Sequence, residues 1–130
     1  MREILFKGFI NAEHDYYAAT KIKPKWVYGF YSTSSALFTK PVPVIQNDED
    51  DYIIIPETVC EFTGILDINK TKIFENDVIK ASNGHIGWVI FEKGHFIKTC
   101  NCHKSNCEII SDNCEVIGNI FDNPELIEVK

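Results

Sequence analysis

Short apolar runs broken by turn residues fill the stretch from residue 53 to residue 91, and this stretch constrains the fold most strongly. Gly64 and the polar segments 67–70 and 75–77 interrupt the runs before any of them is long enough for a helix. Ser82-Asn83-Gly84 is the strongest hairpin signal in the chain, because Asn-Gly suits a type I′ turn. The stretch therefore predicts a meander of short antiparallel strands around a small core, as in small barrels.

The remaining segments extend this β pattern over 130 residues, a length that fits one domain. Residues 86–91 are apolar on both faces and predict a central strand that is covered on both sides. Gly118 predicts a bend or a close backbone contact in a later strand. Asn123 before Pro124 predicts either one closing helical turn or a simple turn. We expect a mostly β fold in a single domain over residues 1–130, a small barrel with long loops and at most short helical turns.

Two blocks of mixed polar and apolar residues stand out as a signature. The first contains Thr58-Val59, Phe62-Thr63-Gly64, Asp67 and Ile73-Phe74-Glu75-Asn76-Asp77-Val78-Ile79. The second is Val116-Ile117-Gly118-Asn119-Ile120-Phe121-Asp122-Asn123-Pro124-Glu125-Leu126. Together with weaker matches at residues 2–6 and 26–29, these blocks resemble the YopX-type proteins, a family of small proteins carried by bacteriophages and prophages. The resemblance implies a mostly β fold with an SH3-like barrel, and it brings no established activity with it.

Two features depart from the family pattern. Asn76 stands where the tight turn of the family usually has glycine, and asparagine is the non-glycine residue that best tolerates a positive φ. The cysteine-rich loop at residues 100–107 is not part of the pattern. The substitution at the turn is therefore compatible with the resemblance, whereas the loop is a departure from the family pattern.

The composition narrows the classes of function and the expected location. The net charge of −6 and the pI of about 5.1 argue against a general polyanion binder, although a local basic patch stays compatible with them. No apolar run approaches the roughly 20 residues needed to span a membrane. The N-terminus lacks the apolar core of a signal peptide, and five cysteines without an export signal favour reduced thiols. We therefore expect a protein of the bacterial host cytoplasm without membrane contact.

Three lysines are followed directly by aromatic residues at the start of the second strand candidate, and this is the pattern most suggestive of binding. Charge for phosphates and rings for bases would make this patch a single-stranded nucleic-acid site. Its members are Lys21, Lys23, Lys25, Trp26 and Tyr28. The alternative, which we favour, is that Trp26, Tyr28 and Phe30 recur at period two and line the core face of one strand behind solvated lysines.

The cysteine-rich loop raises the question of a metal site. Zinc needs about four soft ligands in a tetrahedron, and Cys100, Cys102 and Cys107 with either His103 or Cys114 supply that number. The spacing differs from the paired C-x2-C frameworks of known zinc sites, so clustered reduced thiols in an exposed loop are the favoured alternative. The acidic segment 47–51 lacks the glycine and the distal glutamate of a calcium loop, and it predicts a solvated hairpin tip.

Three classes of function stay open at this stage. The favoured one is a non-enzymatic interaction module that binds a host or phage protein, because the sequence contains no defensible catalytic constellation and no cofactor motif. The second is a nucleic-acid-associated barrel that uses the lysine and aromatic patch at residues 21–31. The third is a metalloprotein or an enzyme centred on the cysteine loop. Self-association into a homo-oligomer is compatible with all three.

Overall fold

The computed structural model describes residues 3–34, 41–100 and 108–127 of the chain. These residues form eleven β-strands and three short 3-10 helices, at Asp15–Tyr17, Pro56–Thr58 and Pro124–Ile127. The strands are β1 (Phe6–Phe9), β2 (Trp26–Ser34), β3 (Val42–Gln46), β4 (Asp51–Ile53), β5 (Cys60–Leu66), β6 (Lys72–Phe74), β7 (Asp77–Ala81), β8 (Ile86–Glu92), β9 (His95–Thr99), β10 (Glu108–Ile109) and β11 (Cys114–Asn119). The prediction of a mostly β fold with only short helical turns is confirmed.

The described chain divides into two compact units, of which the first is Glu3–Glu61. Its strands lie in the order β4-β3-β2-β1, and the first two residues of β5 pair with β1. Strand β2 changes neighbours along its length, since Trp26 to Gly29 pair with β1 and Phe30 to Ser34 pair with β3. Seven buried residues form the core of this unit, namely Ile10, Tyr17, Val27, Ile45, Tyr52, Ile53 and Ile54.

The second unit contains the rest of β5 and all later strands. Strands β5 and β6 form a hairpin, and the other strands form a five-stranded sheet in the order β10-β9-β8-β7-β11. Strand β8 has a neighbour on each side, which confirms its central position. Its two faces are not fully covered, because Val89 is buried whereas Trp88 is half-buried and Phe91 is exposed. The core comprises Ile73, Ile79, Val89, Phe96, Ile110 and Cys114.

Two tight turns connect β7, β8 and β9, and one of them is the hairpin predicted at Ser82-Asn83-Gly84. In the β7–β8 hairpin the Gly84 N–H donates to the Ala81 carbonyl at 2.9 Å, and Gly84, but not Asn83, has a positive φ. This turn is therefore a three-residue loop with glycine in the left-handed position rather than the expected type I′ turn. The two-residue loop between β8 and β9 instead has positive φ at both central residues, Lys93 and Gly94, as type I′ requires.

The expected barrel is not present in the described part of the chain, where the strands form two antiparallel sheets without closure. Closure would require the outer strands of a sheet to pair with each other. In the five-stranded sheet these are β10, which has only two residues, and β11, whose register shifts between Val116 and Gly118. Neither offers a straight edge long enough to close a barrel, so the SH3-like detail implied by the family resemblance is not confirmed.

Side chains and turns occupy the outer edges of β4 and β11. At β4 the Ile53 N–H donates to the Tyr17 hydroxyl at 3.0 Å, and the Ile53 carbonyl accepts from the Asn11 N–H at 2.9 Å. At β11 the Val116 N–H donates to the Asp67 carboxylate at 2.9 Å. Edges occupied in this way are poor templates for the addition of another strand. None of the helices in the described residues has the length or apolar character to cross a membrane.

Candidate functional site

The outward face of β2 carries large aromatic side chains that are exposed. Tyr28 is 48% exposed and Phe30 is 67% exposed, whereas Val27 between Trp26 and Tyr28 is 4% exposed. The favoured interpretation of this strand, in which Trp26, Tyr28 and Phe30 line the core, is therefore wrong for Tyr28 and Phe30. The reason is the register with β1, in which Val27 pairs with glycine and faces the core in place of the aromatic residues.

Gly8 and Gly29 explain why the opposite face of the two strands is the buried one. Gly8 pairs with Val27, and a Cβ atom on Gly8 would lie 2.4 Å from Cγ2 of Ile54, which fills that space. A Cβ atom on Gly29 would lie 2.2 Å from the carbonyl oxygen of Gln46. Both glycines make room for close approach rather than adding apolar surface. The core face of these strands therefore contains few apolar side chains. The period-two pattern of apolar residues alone predicts that the opposite face is buried.

Trp26 is half-buried because its ring already has neighbours in the first unit. The Phe9 ring meets it edge-on at a centroid distance of 5.4 Å, and Lys7 Nζ lies 4.8 Å from its centroid. The ring therefore already packs against Phe9 and Lys7. Of the two predicted base-stacking residues, Tyr28 has the larger exposed area available to a ligand.

A groove of about 370 Å³ opens beside the start of β2. One side is formed by the β2 segment and the other by the loop between β3 and β4. Its lining residues are Lys25, Trp26, Val27, Tyr28, Asn47, Asp48 and Glu49. The groove thus contains Lys25, Trp26 and Tyr28 from the predicted nucleic-acid patch, while Lys21 and Lys23 are exposed but do not line it.

Asn47 fixes the loop that forms the second side of the groove. Its amide Nδ2 donates to the Tyr28 carbonyl at 3.0 Å, and its Oδ1 accepts from the N–H groups of Glu49 and Asp50 at 2.9 and 3.2 Å. This Asx arrangement holds a tight turn and ties it to β2. Residues 47–50 are thus the tip of the β3–β4 hairpin with Asp48, Glu49 and Asp50 exposed, as the sequence predicts, and Asn47 in addition ties this tip to β2.

The acidic loop also affects the ionisation of a neighbouring tyrosine. The Tyr52 hydroxyl lies 3.5 Å from Glu49 Oε2. Burial, followed by the charges of Glu49 and Asp50, raises the pKa of Tyr52. Tyr52 therefore stays a neutral donor beside the loop and does not add a negative charge to the groove.

The residues proposed to bind metal are only partly within the described part of the chain. Cys102, His103 and Cys107 lie outside the described residues, and Cys100 is disulfide-bonded, in contrast to the expected reduced thiols. Cys114 is a buried free thiol that lies 3.4 Å from the Ser111 carbonyl, and burial raises its pKa, so it is not a ready thiolate. Within residues 3–34, 41–100 and 108–127, no three His, Cys, Asp or Glu side chains are grouped to hold a metal ion.

The polar residues that carry the family resemblance contact backbone groups. Thr58 Oγ1 accepts from the Phe9 N–H at 2.9 Å, and Asp77 Oδ2 accepts from the Phe74 N–H at 2.8 Å. Asp67 accepts three backbone hydrogen bonds across the turn after β5 and from β11. These contacts give the signature residues structural roles in holding turns and strand ends.

The comparisons with known proteins agree with this signature. The model of the YopX protein family matches residues 5–128, which is nearly the whole chain. A search of curated proteins found no match. Because the family match extends from the first strand to the last 3-10 helix, it covers both compact units. The chain therefore belongs to the YopX protein family.

Proposed function

We propose that this phage-type protein is a non-enzymatic interaction module that binds a host or phage protein through the outward face of β2. The observation that carries the proposal is the exposure of Tyr28 and Phe30 on the same face of one strand. Aromatic side chains are enriched in protein interfaces and often provide most of the binding energy there. Two exposed aromatic residues on one strand therefore provide an anchor for a partner.

The structural roles of the signature residues support a function without catalysis. A catalytic site needs a nucleophile, a base or an oxyanion-binding group that is available to a substrate. Asp67, Asp77 and Thr58 instead accept hydrogen bonds from the backbone of their own unit. The residues by which the chain resembles its family are thus used to build the fold, which leaves recognition to the exposed surface.

The occupied sheet edges favour docking on a face over strand addition. Strand addition requires a row of backbone N–H and C=O groups at an edge. At β4, Tyr17 and Asn11 already contact the backbone of Ile53, and at β11 Asp67 contacts Val116. A partner would therefore contact side chains such as Tyr28 and Phe30 rather than add a strand to either of these edges.

Binding of single-stranded nucleic acid through the same region is a second candidate function. It is favoured by the exposure of Tyr28 together with the exposed lysines Lys21, Lys23 and Lys25. It is opposed by Asp48 and Glu49, which share the groove with Lys25 and would repel phosphates. We therefore place it second to protein binding.

We further propose that the protein acts in the cytoplasm of the bacterial host. The reduced thiols of Cys60 and Cys114 support a reducing compartment, whereas the disulfide at Cys100 is an observation against it. The partner is a protein of the host or the phage, and self-association through the same aromatic face is an alternative that the oligomeric state in solution would reveal.

A pull-down from bacterial extract tests the proposal. The bait is the tagged full chain, used with and without nuclease, beside a Tyr28→Ser/Phe30→Ser variant and a Phe91→Ser control. Phe91 is 53% exposed on a strand of the other unit, so its replacement removes a similar exposed ring at another place. We expect a discrete protein partner that survives nuclease, is retained by Phe91→Ser and is reduced at least about tenfold by the double variant.

Two results would count against this function. Equal recovery of the partner by the double variant and by wild type would remove β2 from the interface. Loss of all partners after nuclease treatment, with nucleic acid recovered on the bait, would support the second candidate in place of the first.

A further inference from the structure

We infer that the groove beside β2 binds an arginine side chain in an exposed segment of the partner protein. The inference rests on the proposed function and specifies the chemistry of the partner. It follows from three properties of the groove, namely its charge, its aromatic side and its size.

The charge of the groove favours a cationic ligand. Asp48 and Glu49 line it, Asp50 follows in the same loop, and the exposed Asp51 begins β4. Lys25 is the basic residue in the lining, so acidic groups outnumber basic ones at this place. Opposite charges at short range favour an ion pair with a cationic ligand.

The aromatic side of the groove selects arginine among cations. Tyr28 is 48% exposed and lines the same groove as Asp48 and Glu49. A guanidinium group is planar, so it can stack on a ring while its N–H groups donate to a carboxylate. An ammonium group offers no such plane.

The size and rigidity of the groove fit a side chain in an extended segment. A volume of about 370 Å³ lies at the lower end of the range for ligand pockets, roughly 300 to 1,000 Å³. The hydrogen bonds of Asn47 to Tyr28, Glu49 and Asp50 hold the acidic side in place before any ligand arrives. A preformed site loses less conformational entropy on binding.

The test is an NMR titration of the ¹⁵N-labelled full chain with a short peptide that contains two arginines separated by glycine. The matched probe replaces both arginines with citrulline, which keeps the shape of the side chain and removes its charge. We expect saturable amide shifts confined to residues near the groove, at 25–28 and 47–49, and binding at least about tenfold weaker for the citrulline peptide.

Variants that remove charge but preserve side-chain shape test whether the arginine peptide binds in the groove. Asp48→Asn/Glu49→Gln is expected to weaken the arginine peptide about tenfold, because it removes charge from exposed residues. The matched control Glu57→Gln/Glu92→Gln neutralises two exposed acids elsewhere and is expected to bind as wild type does. A single-stranded oligothymidylate is titrated in parallel.

Three results would overturn the inference. They are the absence of shifts at the groove, equal affinity for the arginine and citrulline peptides, and tighter binding of the oligothymidylate at the same amides. These results are distinct from a failure of the proposed function. If Tyr28→Ser/Phe30→Ser loses a protein partner while the arginine peptide does not bind, the proposed function is supported and the arginine site is contradicted.

Discussion

Replacement of Asp67 with alanine is expected to lower the free energy of unfolding by about 3 kcal/mol. Asp67 is 2% exposed, and its two oxygens accept from the N–H groups of Asn69, Thr71 and Val116 at 2.8, 2.8 and 2.9 Å. Alanine leaves these donors without their acceptor, at a cost of about 1–3 kcal/mol for each donor that water does not reach. Urea unfolding of the variant beside wild type measures the loss.

The same carboxylate makes stability depend on acid pH. Burial alone would raise the pKa of Asp67, but the hydrogen bonds from Val116, Thr71 and Asn69 together lower it below the ordinary value of 3.8. A carboxyl group with a lowered pKa in the folded state stabilises the fold above the unfolded value, and this contribution is lost as the pH falls through the folded value. We expect the unfolding free energy to decline below about pH 4, and to decline less in Asp67→Asn.

Asp112→Ala is the matched control for the Asp67 variants. Asp112 is an exposed aspartate in the turn before β11, so its loss is expected to change stability by less than about 0.5 kcal/mol. A loss of less than about 1 kcal/mol in Asp67→Ala would contradict the structural role assigned to this carboxylate. An acid-pH profile of Asp67→Asn that overlays that of wild type would contradict the lowered pKa.

Gly29→Ala is expected to lower the free energy of unfolding by about 3 kcal/mol and to disturb the groove. The added Cβ would lie 2.2 Å from the Gln46 carbonyl oxygen and 2.9 Å from its carbon, which are backbone atoms of the paired strand. Relief of this clash requires β2 and β3 to separate beside the Phe30–Gln46 pair. The hydrogen bond from Asn47 to the Tyr28 carbonyl lies next to that pair, so amide shifts at residues 47–49 should accompany the loss of stability.

A substitution at a second glycine, Gly84, separates the effect of a steric clash from the effect of an unusual backbone conformation. Gly84 has open space where a Cβ atom would lie and a φ of +89°, so Gly84→Asn tests backbone conformation alone. Asparagine tolerates the left-handed region, and we expect a cost of less than about 1 kcal/mol. If Gly29→Ala is as stable as Gly84→Asn, then β2 and β3 do not approach as closely at Gly29 as the structure indicates.

Local turn chemistry made much of the fold predictable from the sequence. Gly64 and Gly118 mark register shifts in β5 and β11, and a Cβ on Gly118 would lie 2.4 Å from Asn123 Oδ1. Asn76 adopts the positive φ expected where the family has glycine. Pro124 opens the closing helical turn. Such features depend on a few neighbouring residues, so one sequence is enough to identify them.

The sequence did not predict whether the sheets close into a barrel or which face of β2 is buried. Both outcomes depend on which strands pair and in which register, and these choices follow from contacts between distant residues. The face of β2 was assigned wrongly because its buried side contains Val27 and Gly29, while the exposed side contains Tyr28 and Phe30. The apolar pattern of the strand therefore points to the wrong face.

The groove could not be predicted from the sequence, although each of its two sides contains a recognisable sequence feature. The lysine and aromatic patch and the acidic segment 47–51 are separated by about twenty residues along the chain. They meet because the β2–β3 pairing brings Asn47 to the Tyr28 carbonyl. Gly29 and Asn47 are the residues that allow these two segments to meet. Neither residue type indicates which distant residue it contacts.

The most direct test of the central claim, that the outward face of β2 is a protein-binding surface, is photo-crosslinking in bacterial cells. A photoreactive phenylalanine analogue is placed at position 30, and in a separate control at position 91, both of which hold exposed phenylalanines. We expect a discrete protein adduct from position 30 that is absent from position 91. Identical adduct patterns from the two positions, or no protein adduct from position 30, would contradict it.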